Sequence, residues 1–198
     1  AILASQVGAK PKQVAFSSSP RLGLLTTFMF VLVTVGMLTV MFVSVSRYTA
    51  EIAFAKAVRA DRAGESLDIV IEDLDAAARL NKLSDVYYRN LSHALLLKTG
   101  ELVNDPEADP NLVQNYVSSS INAARRATDL SPNDVVNWSM LGDIYREVAP
   151  LVGNADVFAI ASYEKATELS PTNPKYFVSL GQSYIVRSEQ LSALTESE

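Results

Sequence analysis

The chain has 198 residues, 48% of them hydrophobic and 20% charged, which suits one or two domains. Seventeen Lys and Arg stand against 22 Asp and Glu for a net charge of −5, and no basic stripe suits phosphate, so nucleic acid is not the expected partner. The absence of Cys excludes disulfides, thiolate catalysis and Cys-type zinc sites, and a single His leaves no nucleophile–His–acid set. The charge is unevenly spread: residues 1–46 carry Lys10, Lys12 and Arg21 with no acid, and residues 47–198 carry the acidic excess. The chain begins at Ala1 rather than Met, as a trimmed chain or a piece of a longer one would.

Residues 1–21 form a polar N-terminal segment. Residues 22–46, LGLLTTFMFVLVTVGMLTVMFVSVS, contain no charge and are bracketed by Arg21 and Arg47. As a helix this run spans roughly 37 Å, enough to cross a hydrocarbon core of ~30 Å with some tilt. It is apolar on every face, unlike an ordinary core helix, and is read as a transmembrane helix with the lipid bilayer as partner. A cleaved signal peptide is the competing reading, with Ser44-Val45-Ser46 as a weak cleavage site, but its apolar region would normally be shorter. Gly36 has no second Gly four residues away, so no dimerisation motif is read. Positive charges on the two flanks nearly balance, and flanking charge does not choose an orientation.

Beyond the run, apolar residues recur at helical spacing. Tyr48, Ile52, Phe54, Ala55 and Val58 continue the first helix until Gly64 ends it, and Leu67, Val70, Ile71, Leu74, Ala77 and Ala78 mark a second. Val86–Leu102 predicts a third helix, broken by Asn104-Asp105-Pro106, and Leu112–Leu130 a fourth, ended by Ser131-Pro132. Further helices are expected at about 135–148, 156–169 and 174–190. No stretch alternates with period two, so the fold class is all-α. Residues 47–83 read as a degenerate helical repeat, 84–190 as better repeats, and 191–198 as a polar tail.

The repeat is visible in DLSPNDVVNWSMLGDIY (Asp129–Tyr145) and ELSPTNPKYFVSLGQSY (Glu168–Tyr184), which share Leu-Ser-Pro, Leu-Gly and the final Tyr. Each places an aromatic (Trp138, Phe177), then Leu (Leu141, Leu180), Gly (Gly142, Gly181) and Tyr (Tyr145, Tyr184) at equal spacing. With Ala159, Tyr163, Ala166 and Pro171 following, this resembles the tetratricopeptide repeat (TPR), whose period is 34 residues. The unit starting near Trp138 is about five residues longer than that period, with the extra length falling within APLVGNADVF, an earlier unit carries Ser92 where Gly is expected, and the last unit stops after one helix. The resemblance covers roughly residues 50–190 and implies an α-solenoid of about three and a half helix pairs behind one N-terminal transmembrane helix.

A structural role is expected for Trp138, Gly142, Tyr145, Tyr163, Ala166, Leu180 and Gly181, with Trp138→Ala costing about 3–5 kcal/mol if the ring is buried. The resemblance further implies that the first helix of each pair lines a groove for a protein or peptide ligand. Carried over, groove-facing positions are Arg89, His93, Ser139, Asp143, Arg146 and Gln182. The Lys and Asn set with which chaperone-binding members hold a terminal carboxylate is not reproduced, because Arg89 and His93 stand in its place. His93 reads as an ordinary helix side chain.

No catalytic residue, metal site or cofactor is expected: no Gly-rich phosphate loop and no paired-carboxylate frame occurs, and the residues shown do not read as an enzyme. Asp105, Glu107 and Asp109 read as a solvated linker rather than a calcium loop. The sequons at Asn90 and Asn137 fall inside expected helices and read as chance. The expected function is that of a membrane-tethered scaffold for protein–protein interactions in envelope assembly or secretion, with its repeats outside the cytoplasm by family analogy. The order of elements is also similar to the C-terminal part of O-antigen ligase or polymerase-like polytopic membrane proteins that end in such repeats, and then the chemistry would lie upstream.

Overall fold

The structure, a computed structural model, describes residues 20–196 and contains seven α-helices and no strand among them: α1 (Pro20–Ala63), α2 (Leu67–Leu80), α3 (Asp85–Val103), α4 (Pro110–Leu130), α5 (Val135–Glu147), α6 (Ala155–Leu169) and α7 (Pro174–Glu196). All seven expected helices form. The chain divides into two units, residues 1–45 and Ser46–Glu198.

In the first unit, α1 exposes its large apolar side chains in every direction, among them Leu24, Phe30, Met37 and Phe42. It is long and apolar enough to cross a membrane by length and composition. Its hydroxyls do not oppose this: Thr26, Thr27, Thr34, Thr39 and Ser44 each donate to a carbonyl one turn back, so they add no unpaired donor.

In the second unit, α1 runs on without a break and turns amphipathic. Ala50, Ala57 and Ala60 are buried against Leu74, Ala77 and Leu91. Small residues there let the helices approach closely, and Lys56 Nζ ties α1 to Asp73 Oδ1 of α2 at 2.9 Å. Gly64 ends α1 at φ +70, a left-handed conformation that glycine adopts without penalty.

Helix starts follow their capping chemistry. Asp109 accepts from the Asn111 backbone N–H with Pro110 in the first turn, Asp134 accepts from Val136, and Asn173 accepts from Lys175 just after Pro174. α7 continues to Glu196, past the end expected near residue 190, because Leu, Ala, Glu and Gln follow without a Gly or Pro to stop it.

Consecutive helices pack as neighbours, α2 on α3, α3 on α4, α4 on α5, α5 on α6 and α6 on α7. They bury two apolar clusters. One holds α1, α2 and α3 together, and the other joins Val117 and Ala124 of α4 to Leu141, Ile144, Ala159 and Tyr163 of α5 and α6. The result is three helix pairs and a seventh, single helix.

A candidate peptide groove between the first helices of adjacent pairs

On α3, His93, Leu96, Leu97 and Gly100 follow one another at intervals of one to four residues and lie along one helix face. On α5, Met140, Asp143, Arg146 and Glu147 do the same. The two faces confront each other across an open groove of about 660 Å³. Pro150 and Leu151, from the stretch between α5 and α6, also line it.

Three of the six groove residues expected from the sequence, His93, Asp143 and Arg146, therefore line one groove. Arg146 is held rather than free. Its Nη2 donates to Asp143 Oδ1 at 3.1 Å, Nη1 reaches Gln182 Oε1 of α7 at 3.4 Å, and the guanidinium lies 5.5 Å from the centre of the Tyr163 ring. The Tyr163 hydroxyl donates to the same Asp143 oxygen. Burial and that hydrogen bond both push the Tyr163 hydroxyl well above the usual tyrosine range, so it remains a donor at all ordinary pH.

Arg89 sits one turn before His93 and is committed inside the fold. It donates to Asn137 Oδ1 at 2.8 Å and to Asp134 Oδ2 at 3.2 Å, joining α3 to the start of α5. Asn137 is 1% exposed and fully satisfied, because its Nδ2 donates to Asp85 Oδ2 and to the Ala127 carbonyl. Its burial leaves no room for a glycan on the folded chain. Ser139 is also buried and donates back to the Val136 carbonyl of its own helix. His93 is exposed on the groove wall.

Sequence reasoning missed the apolar floor, Leu96, Leu97, Met140 and Leu151, and the exposed acid Glu147. Nothing local marks these residues, because they come together only when α3, α5 and the loop after α5 are stacked. Two expectations about the aromatic positions change. Trp138 is only partly buried, with its Nε1 donating to the Pro132 carbonyl at 2.7 Å, so it pins the loop as well as filling space. Gly181 receives no helix: a Cβ there would meet nothing within 4 Å. The acids of the 104–109 loop serve the loop itself, with Asp105 accepting from Glu107 N–H and Asp109 capping α4. Among the described residues no cluster of three or more His, Asp or Glu could hold a metal.

No protein-family model matches the sequence, and no curated protein matches it significantly. Solved structures do. The TPR domain of Arabidopsis OM64 superposes with a TM-score of 0.53 at 17% identity, over 70% of this chain and 96% of that one. The first TPR of Spaghetti (RPAP3), solved with the HSP90 peptide SRMEEVD, gives 0.56 at 14% identity, over 72% and 95%. MamA gives 0.53 at 20% identity, over 74% and 68%.

The fold is that of a TPR domain. The Leu–Gly–Tyr spacing of α5 thus has its TPR meaning: Gly142 admits the second helix of the pair. The groove between α3 and α5 lies between the first helices of two successive TPR units.

Proposed function

We propose that the chain is a membrane-tethered TPR scaffold that binds a protein or peptide segment in the groove between α3 and α5, and that its own residues perform no catalysis. The observation that carries this reading is the convergence of the His93–Leu97 face and the Asp143–Glu147 face on one open groove. The TPR of Spaghetti, which holds a peptide, supports it by likeness of fold. The tether is α1, whose residues 22–46 would lie in the bilayer; the length and apolar composition of that helix support this reading.

The chemistry of the groove favours an apolar segment over an acidic tail. Its one guanidinium, Arg146, is neutralised by Asp143, its floor is made of leucines and Met140, and Glu147 is an exposed carboxylate. Reversing Arg89, Asp143 or Arg146 would disturb internal bonds as well as a ligand, so exposed Leu97 is the sharper probe. Peptides selected from a random library on the full chain in mild detergent should lose binding to Leu97→Glu while the melting temperature stays unchanged. Equal binding to that variant, or no enriched peptide at all, would remove the groove from consideration. For the tether, the chain should remain with membranes after an alkaline carbonate wash; release into the supernatant would refute it.

A further inference from the structure

The loops that join the second helix of one pair to the first helix of the next share one backbone pattern. The N–H groups of Asn81, Ser131 and Ser170 donate to the carbonyls of Ala77, Ala127 and Ala166. Those of Ser84, Asp134 and Asn173 donate to the carbonyls of Asn81, Ser131 and Ser170. Between these fixed points the two later loops carry Pro132-Asn133 and Pro171-Thr172, and the first carries Lys82-Leu83. The turn itself therefore does not call for a leucine, yet Leu83 stands 70% exposed. Single exposed leucines are ordinary on protein surfaces, and what sets this one apart is its level along the repeat.

α1 and α3 run in the same direction with a constant register. The Tyr87 hydroxyl donates to Glu51 Oε1 across 36 residues of sequence. The same separation relates Ala57 to His93 and Asp61 to Leu97, and all four line one cavity farther along both helices. Carried back one turn, that register puts Leu83 about level with Arg47, the first charge after the uncharged run of residues 22–46. The surface at this level is apolar and basic. Tyr48 and Leu80 are exposed, and so are Arg47 and Lys82, which form no ion pair among the described residues.

We propose that the α2–α3 loop is a bilayer-contact site, with Leu80 and Leu83 seated where headgroups meet acyl chains and with Lys82 and Arg47 at the level of the lipid phosphates. It rests on the reading of residues 22–46 as the span, and its geometry lies wholly within the second unit. Wherever the uncharged run leaves the bilayer, Arg47 leaves with it, and the Glu51–Tyr87 bond holds the loop near that level. Cationic side chains reach phosphate while their stems lie on the apolar boundary, and an exposed tyrosine suits the same zone. A lipid surface fits better than a protein partner because the adjoining run ends at this level and both unpaired charges are positive.

The chain has no cysteine, so one introduced thiol carries a unique fluorophore. The full chain is placed in vesicles of phosphatidylcholine and phosphatidylglycerol, some of whose lipids bear a nitroxide quencher just below the headgroup. A fluorophore on Leu83→Cys should lose at least about half its intensity, as a group seated ~5–10 Å into the boundary would. A fluorophore on Glu107→Cys, beyond the far end of the 19-residue α3 and so about 28 Å away, should lose almost none. Both positions are exposed, so neither label displaces packed side chains. Val33→Cys, with the nitroxide moved to the acyl-chain ends, reports on the span. Quenching at Val33 with none at Leu83 overturns the proposal and leaves the tether standing. No quenching at Val33 removes the tether and the proposal with it. Equal quenching at Leu83 and Glu107 also overturns it, because lipid would then touch a whole side of the repeats instead of this loop.

Discussion

The ring of Tyr163 ends against Gly142: a Cβ built on that glycine would lie 2.9 Å from three of the ring carbons. The same ring is fully buried and spends its hydroxyl on Asp143, whose carboxylate also holds Arg146. One contact between two helices thus sets both the packing of a repeat and the position of a guanidinium on the groove wall.

Gly142→Ala should therefore destabilise the chain by about 1–3 kcal/mol, since the buried ring cannot withdraw without leaving its partner. Gly181→Ala, in the same sequence context on α7, should stabilise by about 0.5–1 kcal/mol, because a helix gains from Ala and the new methyl touches nothing. Thermal melts of the two variants distinguish these effects by sign. Two shifts of the same sign would mean that the two glycines do not differ in environment as described.

Tyr163→Phe keeps the ring and removes the hydroxyl. Asp143 then retains Arg146 as its partner, so the loss should stay near 1 kcal/mol. A denaturant titration measures it; a loss near that of a core truncation would mean that the hydroxyl organises more than this one pair.

Asn137→Ala should cost more, about 2–4 kcal/mol. It strips a buried carbonyl of its donor, and it takes from Arg89 and Asp85 the amide that bridges them. Asn137→Asp tests the polarity of the site, since the Nδ2 donors would become acceptors facing Asp85. Both variants should unfold at lower denaturant than the parent, and a neutral Asn137→Asp would contradict the bonding arrangement.

The Tyr87 hydroxyl is pushed up to about 12 by burial and by its hydrogen bond to Glu51 Oε1 at 2.6 Å. An unfolded tyrosine ionises near 10. Below pH ~10 both states keep the proton and stability is unaffected; between about 10 and 12 the unfolded state loses it first, so stability falls as pH rises. Tyr145, Tyr163 and Tyr184 are shifted in the same direction, the first two chiefly by burial and the third chiefly by its hydrogen bond to Glu164. Absorbance titration of phenolate should show part of the eight tyrosines ionising late and together with loss of helix. A single smooth transition near pH 10 with helicity intact would refute this.

Trp138→Phe should cost about 1 kcal/mol rather than the several expected of a fully buried ring, because a ring of nearly equal packing remains and the main loss is one hydrogen bond to Pro132. The intrinsic fluorescence of the parent, whose only Trp this is, should report loosening of the 131–134 turn before global unfolding.

The helices were legible because their signals are local. Apolar spacing, Gly64 and the breaks at Asn104-Asp105-Pro106 and Ser131-Pro132 act within a few residues, and these put seven helices nearly where they form. The Leu–Gly–Tyr spacing likewise announced the TPR fold, since it encodes how closely one helix may approach the next. What local spacing could not reveal is whether that next helix is there. Gly142 and Gly181 carry the same signature, yet one lies against an aromatic ring and the other faces open space. Arg89, read from its position as groove-facing, turned out to be bonded to residues 45 and 48 positions away, a pairing that only the stacking of α3 on α5 creates. The leucine floor of the groove has the same origin: Leu97 and Leu151 are ordinary apolar residues in sequence, and their shared surface exists only because packing brings distant turns together and leaves them uncovered.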